Sequence, residues 1–248
     1  SACGGGPKSS SEPVDANANA ADPGESYVLK FSCTDAQDSM YDKYVLDPLK
    51  QKLDEKSNGR ISLEVYYNSS LSKQGQSLEA IRNGTVDMAV DVLNFYPGQY
   101  PYTELINTPG INLGGHEGFT RVLEDYAKAF PDENLKDFVV LQRFVSGTFG
   151  LLTVDKPTLK TADLKGLTLR AAPSQIPWFQ KMGASATMFP ISDLYESLKL
   201  SVVDGAFTTL GSVYVFKLHE VTNCFTPYSM AGGDMGIFMS RPLYDSMP

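Results

Sequence analysis

Histidine is almost missing from this chain: there are two in 248 residues, His116 and His219. A catalytic triad needs a base held between a nucleophile and an orienting acid, and no G-x-S-x-G segment supplies the nucleophile. Each histidine is followed by Glu, but neither has the second histidine of a zinc-binding H-E-x-x-H helix. Solvent-facing side chains account for both. Cysteine is scarce too, with three residues, no C-x-x-C and no metal-ligand neighbours. No apolar run approaches the roughly 18 residues of a membrane-spanning helix. Positive charge is in deficit: 21 Lys and Arg stand against 29 Asp and Glu, for a net −8. That excludes nucleic acid and an acidic membrane surface as main partners. It leaves room for an anionic small molecule, because one buried cation overrides a weak global field. The carboxylates of CTDAQD and VDMAVD lack calcium-loop spacing, and Asp87 and Asp91 read as caps or surface groups. The glycines of LGGHEG and GGGPKSS lack phosphate-loop spacing, and those of MAGGDMG, around Asp234, read as a turn or hinge. No cofactor and no metal is implied.

Large apolar residues are also missing before Tyr27, where Gly, Ser, Ala, Asn and Pro dominate. Such a segment cannot bury a core and reads as a flexible tether over residues 1–25. Cys3, between Ser-Ala and Gly-Gly-Gly, resembles the lipid-bearing cysteine of a bacterial lipoprotein. That makes a membrane anchor and an extracytoplasmic location the expectation. Cys33 and Cys224 either pair, as an exported protein allows, or stay as two buried thiols.

What is present from Tyr27 onward is an alternation of strands and helices. SYVLKFSC and RISLEVYY alternate with period two and read as strands. Between them a helical pattern meets Pro48, where a kink or two short helices are expected, and Asn58-Gly59 stops it. KQGQSLEAIRNG reads as a helix ending at Gly84, and TVDMAV as a strand. GGHEGFTRVLEDYAKAFP is a further amphipathic helix. FVVLQRF, GLLTV, LTLR and VVDGAFTT read as separate strands. DLYESLKLS reads as a helix capped by Asp193 with Glu196 three residues on. The pattern is that of an α/β fold with parallel or mixed sheets covered by helices.

IRNGTVDMAV and LKLSVVDGAF echo one another: Val86-Asp87 answers Val203-Asp204. Two copies of a helix-to-strand unit suit two similar lobes with a cleft between them, and such clefts house small ligands. Arg170 closes the strand in LKGLTLRAAPS, ahead of Pro173. Its rigid fork of donors fits a carboxylate; a structural salt bridge fits the pattern equally well. Phe95, Tyr96, Trp178 and Tyr214 lie on segments between strands and helices, where aromatics either complete the core or line a pocket.

Taken in order, DLKGLTLRAAPS and MGASATMFPISDLYESLKLSVVDGAFTT resemble the DctP-type solute receptors of TRAP transporters. Upstream, KSNGRISLEVYYNSSL and IRNGTVDMAV are similar to the first lobe of the same family. The resemblance implies a two-lobed periplasmic-binding-protein-like α/β fold, with one lobe at 26–148 plus roughly 230–248, the other at 149–229, and strands near 145–155 and 225–240 crossing between them. It implies an organic-acid ligand, a TRAP permease as partner, no enzymatic turnover, and Arg170 as the carboxylate clasp. Many family members carry a second arginine where Phe149 stands, and an asparagine where Thr208 stands. Those departures imply a monocarboxylate with apolar or aromatic bulk. The alternatives are a receptor for another importer class, carrying a sugar, amino acid or peptide, and a two-lobed enzyme. The family usually continues with more helices after a segment like SRPLYDSMP, so an apolar face open to a partner copy is a further expectation.

Overall fold

Period-two alternation builds the first strand. In β1 (Tyr27–Ser32) Leu29 and Phe31 are buried while Val28 and Lys30 face outward. The computed structural model describes residues 24–106, 108 and 115–247; Cys3 and all but the last two residues of the expected tether lie outside them. At Pro48 the helical pattern is divided in two, as one of the alternatives had it: a π-type segment at Asp42–Leu46 runs directly into α1 (Asp47–Ser57), with the proline in the first turn of α1. Asn58 stops α1 in the left-handed conformation at φ 54°.

Two parallel units share one plan. In the first, β1 lies between β2 (Ile61–Tyr66) and β3 (Met88–Val92), with α2 (Ser77–Arg82) leading into β3. In the second, β5 (Thr168–Arg170) lies between β6 (Ser185–Thr187) and β7 (Gly205–Thr209). Helices α5 (Ile176–Lys181) and α6 (Leu194–Lys199) carry the chain between those strands. The sequence echo has a physical meaning here. The Asp87 carboxylate accepts the Lys30 N–H at 2.8 Å, and the Asp87 N–H donates to the Lys30 carbonyl at 3.0 Å. Asp204 does the same to Thr168, at 2.7 and 2.8 Å. Val86 and Val203 are both 1% exposed. Each valine anchors its strand in the core, and each aspartate ties it to the neighbouring parallel strand.

Two long antiparallel strands join the units: β4 (Phe138–Thr153) and β8 (Cys224–Ser240). The full sheet runs β2-β1-β3-β8-β4-β7-β5-β6. The first half of β4 pairs with the end of β8, which borders β3, and the second half borders β7. FVVLQRF and GLLTV are therefore one strand, and the glycines of MAGGDMG lie inside β8 rather than in a turn. Register shifts at Val140/Gln142 and Thr148/Gly150 break the alternation that would have disclosed this. Helix α4 (Gly115–Ala129) buries Phe119 and Leu123 with Val145 of β4. Shorter helices α3 (Pro101–Ile106), α7 (Leu210–Val215) and α8 (Arg241–Ser246) complete the described α-helices.

Gly150 shows how closely the central strands approach. A Cβ there would lie 2.4 Å from the Phe225 ring and 2.7 Å from the Thr226 carbonyl oxygen. Gly150→Ala is expected to lose about 1–3 kcal/mol through overpacking, read as a lower midpoint of thermal unfolding. An unchanged midpoint would show that the strands can separate locally at little cost.

One local expectation is corrected and one open alternative is resolved. Asp193 occupies the N-cap of α6 without accepting a backbone N–H; its carboxylate takes the Ser192 hydroxyl instead, at 3.1 Å. Cys33 and Cys224 are both free thiols. Cys33 is buried in β1's core cluster, while Cys224 is partly exposed and opens β8 opposite Thr153 of β4.

Candidate functional site

The carboxyl ends of the parallel strands converge on one cavity of about 480 Å³. Thr34 and Asp35 follow β1, Val92 and Phe95 end the β3 segment, Arg170 ends β5, and Thr208 and Thr209 end β7. In open α/β sheets ligands bind in just such a crevice beyond the strand ends. Phe149 and Met235, from the two shared strands, line it as well, so both halves of the sheet supply the walls.

Arg170 is the anomaly of this cavity. It is 3% exposed, with Leu169 and Ala171 fully buried on either side. Its Nε donates to the Phe189 carbonyl at 3.2 Å and its Nη2 to the Gln74 side-chain oxygen at 3.3 Å. The guanidinium carbon lies 5.5 Å from the centre of the Phe95 ring. Among the described residues no carboxylate pairs with it. Burial alone lowers its pKa from the usual 12.5 to about 10, which penalises the charged form by something on the order of 3 kcal/mol. The guanidinium still carries its charge at neutral pH, with Nη1 and part of Nη2 unused.

Arg143 provides the contrast. It too is buried, but its Nε and Nη2 both reach Asp234, and Nη2 also donates to Thr103 at 2.9 Å. One buried arginine is thus neutralised within the protein, and the other faces a cavity without a counterion among the described residues. A structural salt bridge, one of the two readings open for Arg170 in the sequence, is not formed among the described residues.

Two devices fix Arg170 in place. Ala172 adopts φ −66°, ψ 151° before Pro173, which takes the chain away from the strand end. Gln74 is held from behind by Asp91. That carboxylate accepts N–H groups of Gly75 at 3.0 Å, Ser77 at 3.2 Å and Val92 at 2.8 Å, and the Tyr96 hydroxyl. Asp91 is 1% exposed, so it is not a surface group; it caps from a distance, taking the N–H of Ser77 at the start of α2. Burial raises its pKa while its hydrogen bonds pull it back.

The remaining candidates divide. Phe95, Phe149 and Thr208 line the cavity with Arg170. Phe149 packs on Phe207 at 5.0 Å between ring centres, and Thr208 stands opposite Gly150 across β4 and β7. Tyr96 does not line it: its hydroxyl is spent on Asp91 and on the Leu78 N–H, and its ring is core. Trp178 lies instead against Asn94, Pro97 and Pro173, in a separate depression. Tyr214 is 73% exposed, on the outer side of α7. The aromatic signal could not separate these, because it carries no direction. Sequence reasoning missed Asp35, Tyr41, Gln74 and Phe207, which become neighbours only through the topology. Among the described residues no cluster of His, Cys, Asp or Glu could hold a metal ion, and no helix is long and apolar enough to cross a membrane.

The family model for DctP, bacterial extracellular solute-binding protein family 7, matches residues 31–248. The chain belongs to this family. A solute-binding protein of Chromohalobacter salexigens is 29% identical over 192 residues, covering 73% of this chain and 55% of that protein. The chain spans 60% of another solute-binding protein, from Albidiferax ferrireducens, at 23% identity. It thus spans little more than half the length of these curated relatives. Among solved structures, a marine metagenome TRAP solute-binding protein specific for aromatic acid ligands, in complex with 3-hydroxybenzoate, superposes with a TM-score of 0.82. Identity is 24%, with 91% of this chain and 72% of that one covered. A TRAP periplasmic solute-binding protein of Roseobacter denitrificans with bound β-D-glucuronate superposes at 0.81, with 18% identity and 90% and 74% covered. The fold is therefore the periplasmic-binding-protein-like α/β fold of TRAP solute receptors. It is shared by receptors of chemically different acids, so the ligand of this DctP-family chain has to be argued from its own cavity.

Proposed function

We propose that this chain is the extracytoplasmic receptor of a TRAP-type importer. It binds a monocarboxylate with apolar or aromatic bulk and hands it to the membrane permease. The observation that carries the reading is Arg170: a buried, charged fork at the wall of a cavity, with no counterion among the described residues. A carboxylate placed across Nη1 and Nη2 would supply two charge-assisted hydrogen bonds and relieve the burial penalty. Phe95, Phe149, Phe207 and Ile191 offer apolar wall to the rest of the ligand, and Thr208 offers one hydroxyl. Among the described lining residues Arg170 is the only Lys or Arg, which favours a single carboxylate over two.

The two parallel units act as lobes, 26–148 with roughly 230–248 and 149–229, that close on the ligand. Gly147 at φ 118° and Gly233 at φ 52° lie within β4 and β8, beside the cavity-lining Ser146 and Phe149. They give the shared strands backbone freedom where the lobes meet. Cys3 carries the lipid that holds the receptor at the membrane. Cys3→Ser in the complete precursor is expected to move the protein from the membrane fraction to the soluble fraction.

A thermal-shift series tests the ligand class. Benzoate at about 100 times its dissociation constant adds about 2.7 kcal/mol of stability, a rise of roughly 5–10 °C for a chain of this size. Succinate and glucuronate at equal concentration should give less. A larger rise with succinate would overturn the choice of a single carboxylate, and a larger rise with glucuronate the choice of apolar or aromatic bulk.

A further inference from the structure

The cavity carries a second unpartnered pole that the carboxylate clasp does not use. Asp35 lines it from the loop after β1, half-buried, and its carboxylate makes no hydrogen bond or ion pair among the described residues. The loop is fixed rather than free: the Asn68 N–H donates to the Asp35 carbonyl at 3.0 Å and the Ser69 N–H to the Cys33 carbonyl at 3.0 Å. Tyr41, just before the π-type turn, lines the same cavity, and its ring stacks on Phe144. Its hydroxyl is buried without a hydrogen-bond partner among the described residues. Buried polar groups are almost always satisfied, so an orphan beside a cavity asks for a ligand or a water to complete it.

Resting on the reading of Arg170 above, we propose that Asp35 and Tyr41 form a hydroxyl-recognising pole, and that the ligand is an aromatic acid bearing a ring hydroxyl. The chemistry selects that group among the alternatives. An ionised carboxylate only accepts, and a tyrosine hydroxyl can donate. A ligand hydroxyl donates to Asp35 and accepts from Tyr41, completing both. A second ligand carboxylate has no proton to give Asp35 and meets it as a like charge. An unsubstituted ring leaves both protein groups without partners in a site from which it has displaced water. Burial raises the pKa of both groups, in keeping with a dry environment in which such a hydrogen bond counts for more than at the surface.

Calorimetric titration of the whole chain with benzoate, 3-hydroxybenzoate, 4-hydroxybenzoate and isophthalate tests this. The better hydroxybenzoate should bind about tenfold or more tighter than benzoate, the ratio expected when a hydrogen bond to a charged group is gained. Isophthalate should bind more weakly than benzoate. In Asp35→Ala and in Tyr41→Phe, each confirmed folded by circular dichroism, the hydroxybenzoate-to-benzoate ratio should collapse toward one. Asp35→Asn should also narrow the handicap of isophthalate. Benzoate and both hydroxybenzoates binding alike in the parent chain, or a hydroxyl preference that survives both substitutions, would overturn this proposal and leave the Arg170 clasp standing. Failure of every aromatic acid to bind would overturn the two together.

Discussion

Arg170→Met should unfold at a higher temperature than the parent chain while losing its ligand. In the free protein the guanidinium is buried without an anion, and burial holds its pKa at about 10. An apolar side chain of similar length removes that penalty. It also strips the Phe189 carbonyl and Gln74 of a donor, so only part of the roughly 3 kcal/mol returns. A net gain of about 1–2 kcal/mol corresponds to a midpoint higher by about 2–8 °C. Binding should fall by about 2–5 kcal/mol, or roughly 30- to 5,000-fold, as for one partner lost from a buried charge pair. Arg170→Lys should recover only part of the affinity, because the charge remains and the fork does not. Differential scanning calorimetry with and without benzoate reads both effects. A midpoint several degrees below the parent's would mean that Arg170 is there to hold the fold.

Asp91→Ala should be the most damaging single substitution in the first unit. Its carboxylate accepts from three backbone N–H groups and a tyrosine hydroxyl, all in a buried setting. Removing it leaves four donors without an acceptor, each costing about 1–3 kcal/mol when unsatisfied. Against this stands relief of one buried charge, whose desolvation raises the Asp91 pKa. The donors outweigh it, and a net loss of about 3–5 kcal/mol is expected. That is a drop of roughly 6–20 °C in the thermal midpoint. Gln74, one residue before Gly75, would lose its fixed position behind Arg170, so ligand affinity should fall as well. A midpoint within two or so degrees of the parent's would mean that water or a local shift satisfies the loop without Asp91.

Much of this arrangement was legible in the sequence, for physical reasons that can be named. The alternation of Leu29 and Phe31 with outward residues marked β1. Asn58 marked the end of α1 because few residues accept φ 54°. The repeated Val-Asp pair marked two equivalent strand starts, since a carboxylate there ties one parallel strand to the next. Arg170 stood out as a cation at a strand end, and the departures at Phe149 and Thr208 pointed to the same wall of the cavity. The family resemblance placed lobe-crossing strands near 145–155 and 225–240, but the full length of β4 and the continuity of β8 through its glycines were not legible in the residues themselves. Their glycines and register shifts serve the close approach of backbones, and glycine reads equally as a turn. The inward or outward direction of Tyr96, Trp178 and Tyr214 was likewise invisible, because the partner that claims each ring lies elsewhere in the chain. Asp35 and Tyr41 carry no local signal at all; only the convergence of strand ends brings them to the cavity that Arg170 lines.

A crystal structure of the chain grown with benzoate bears most directly on the claim that one fixed guanidinium grips the ligand. The expected result is a carboxylate across Nη1 and Nη2 of Arg170 at about 2.7–2.9 Å, with the ring between Phe149 and Phe95. A benzoate bound elsewhere, with Arg170 still bonded only to Phe189 and Gln74, would contradict the account.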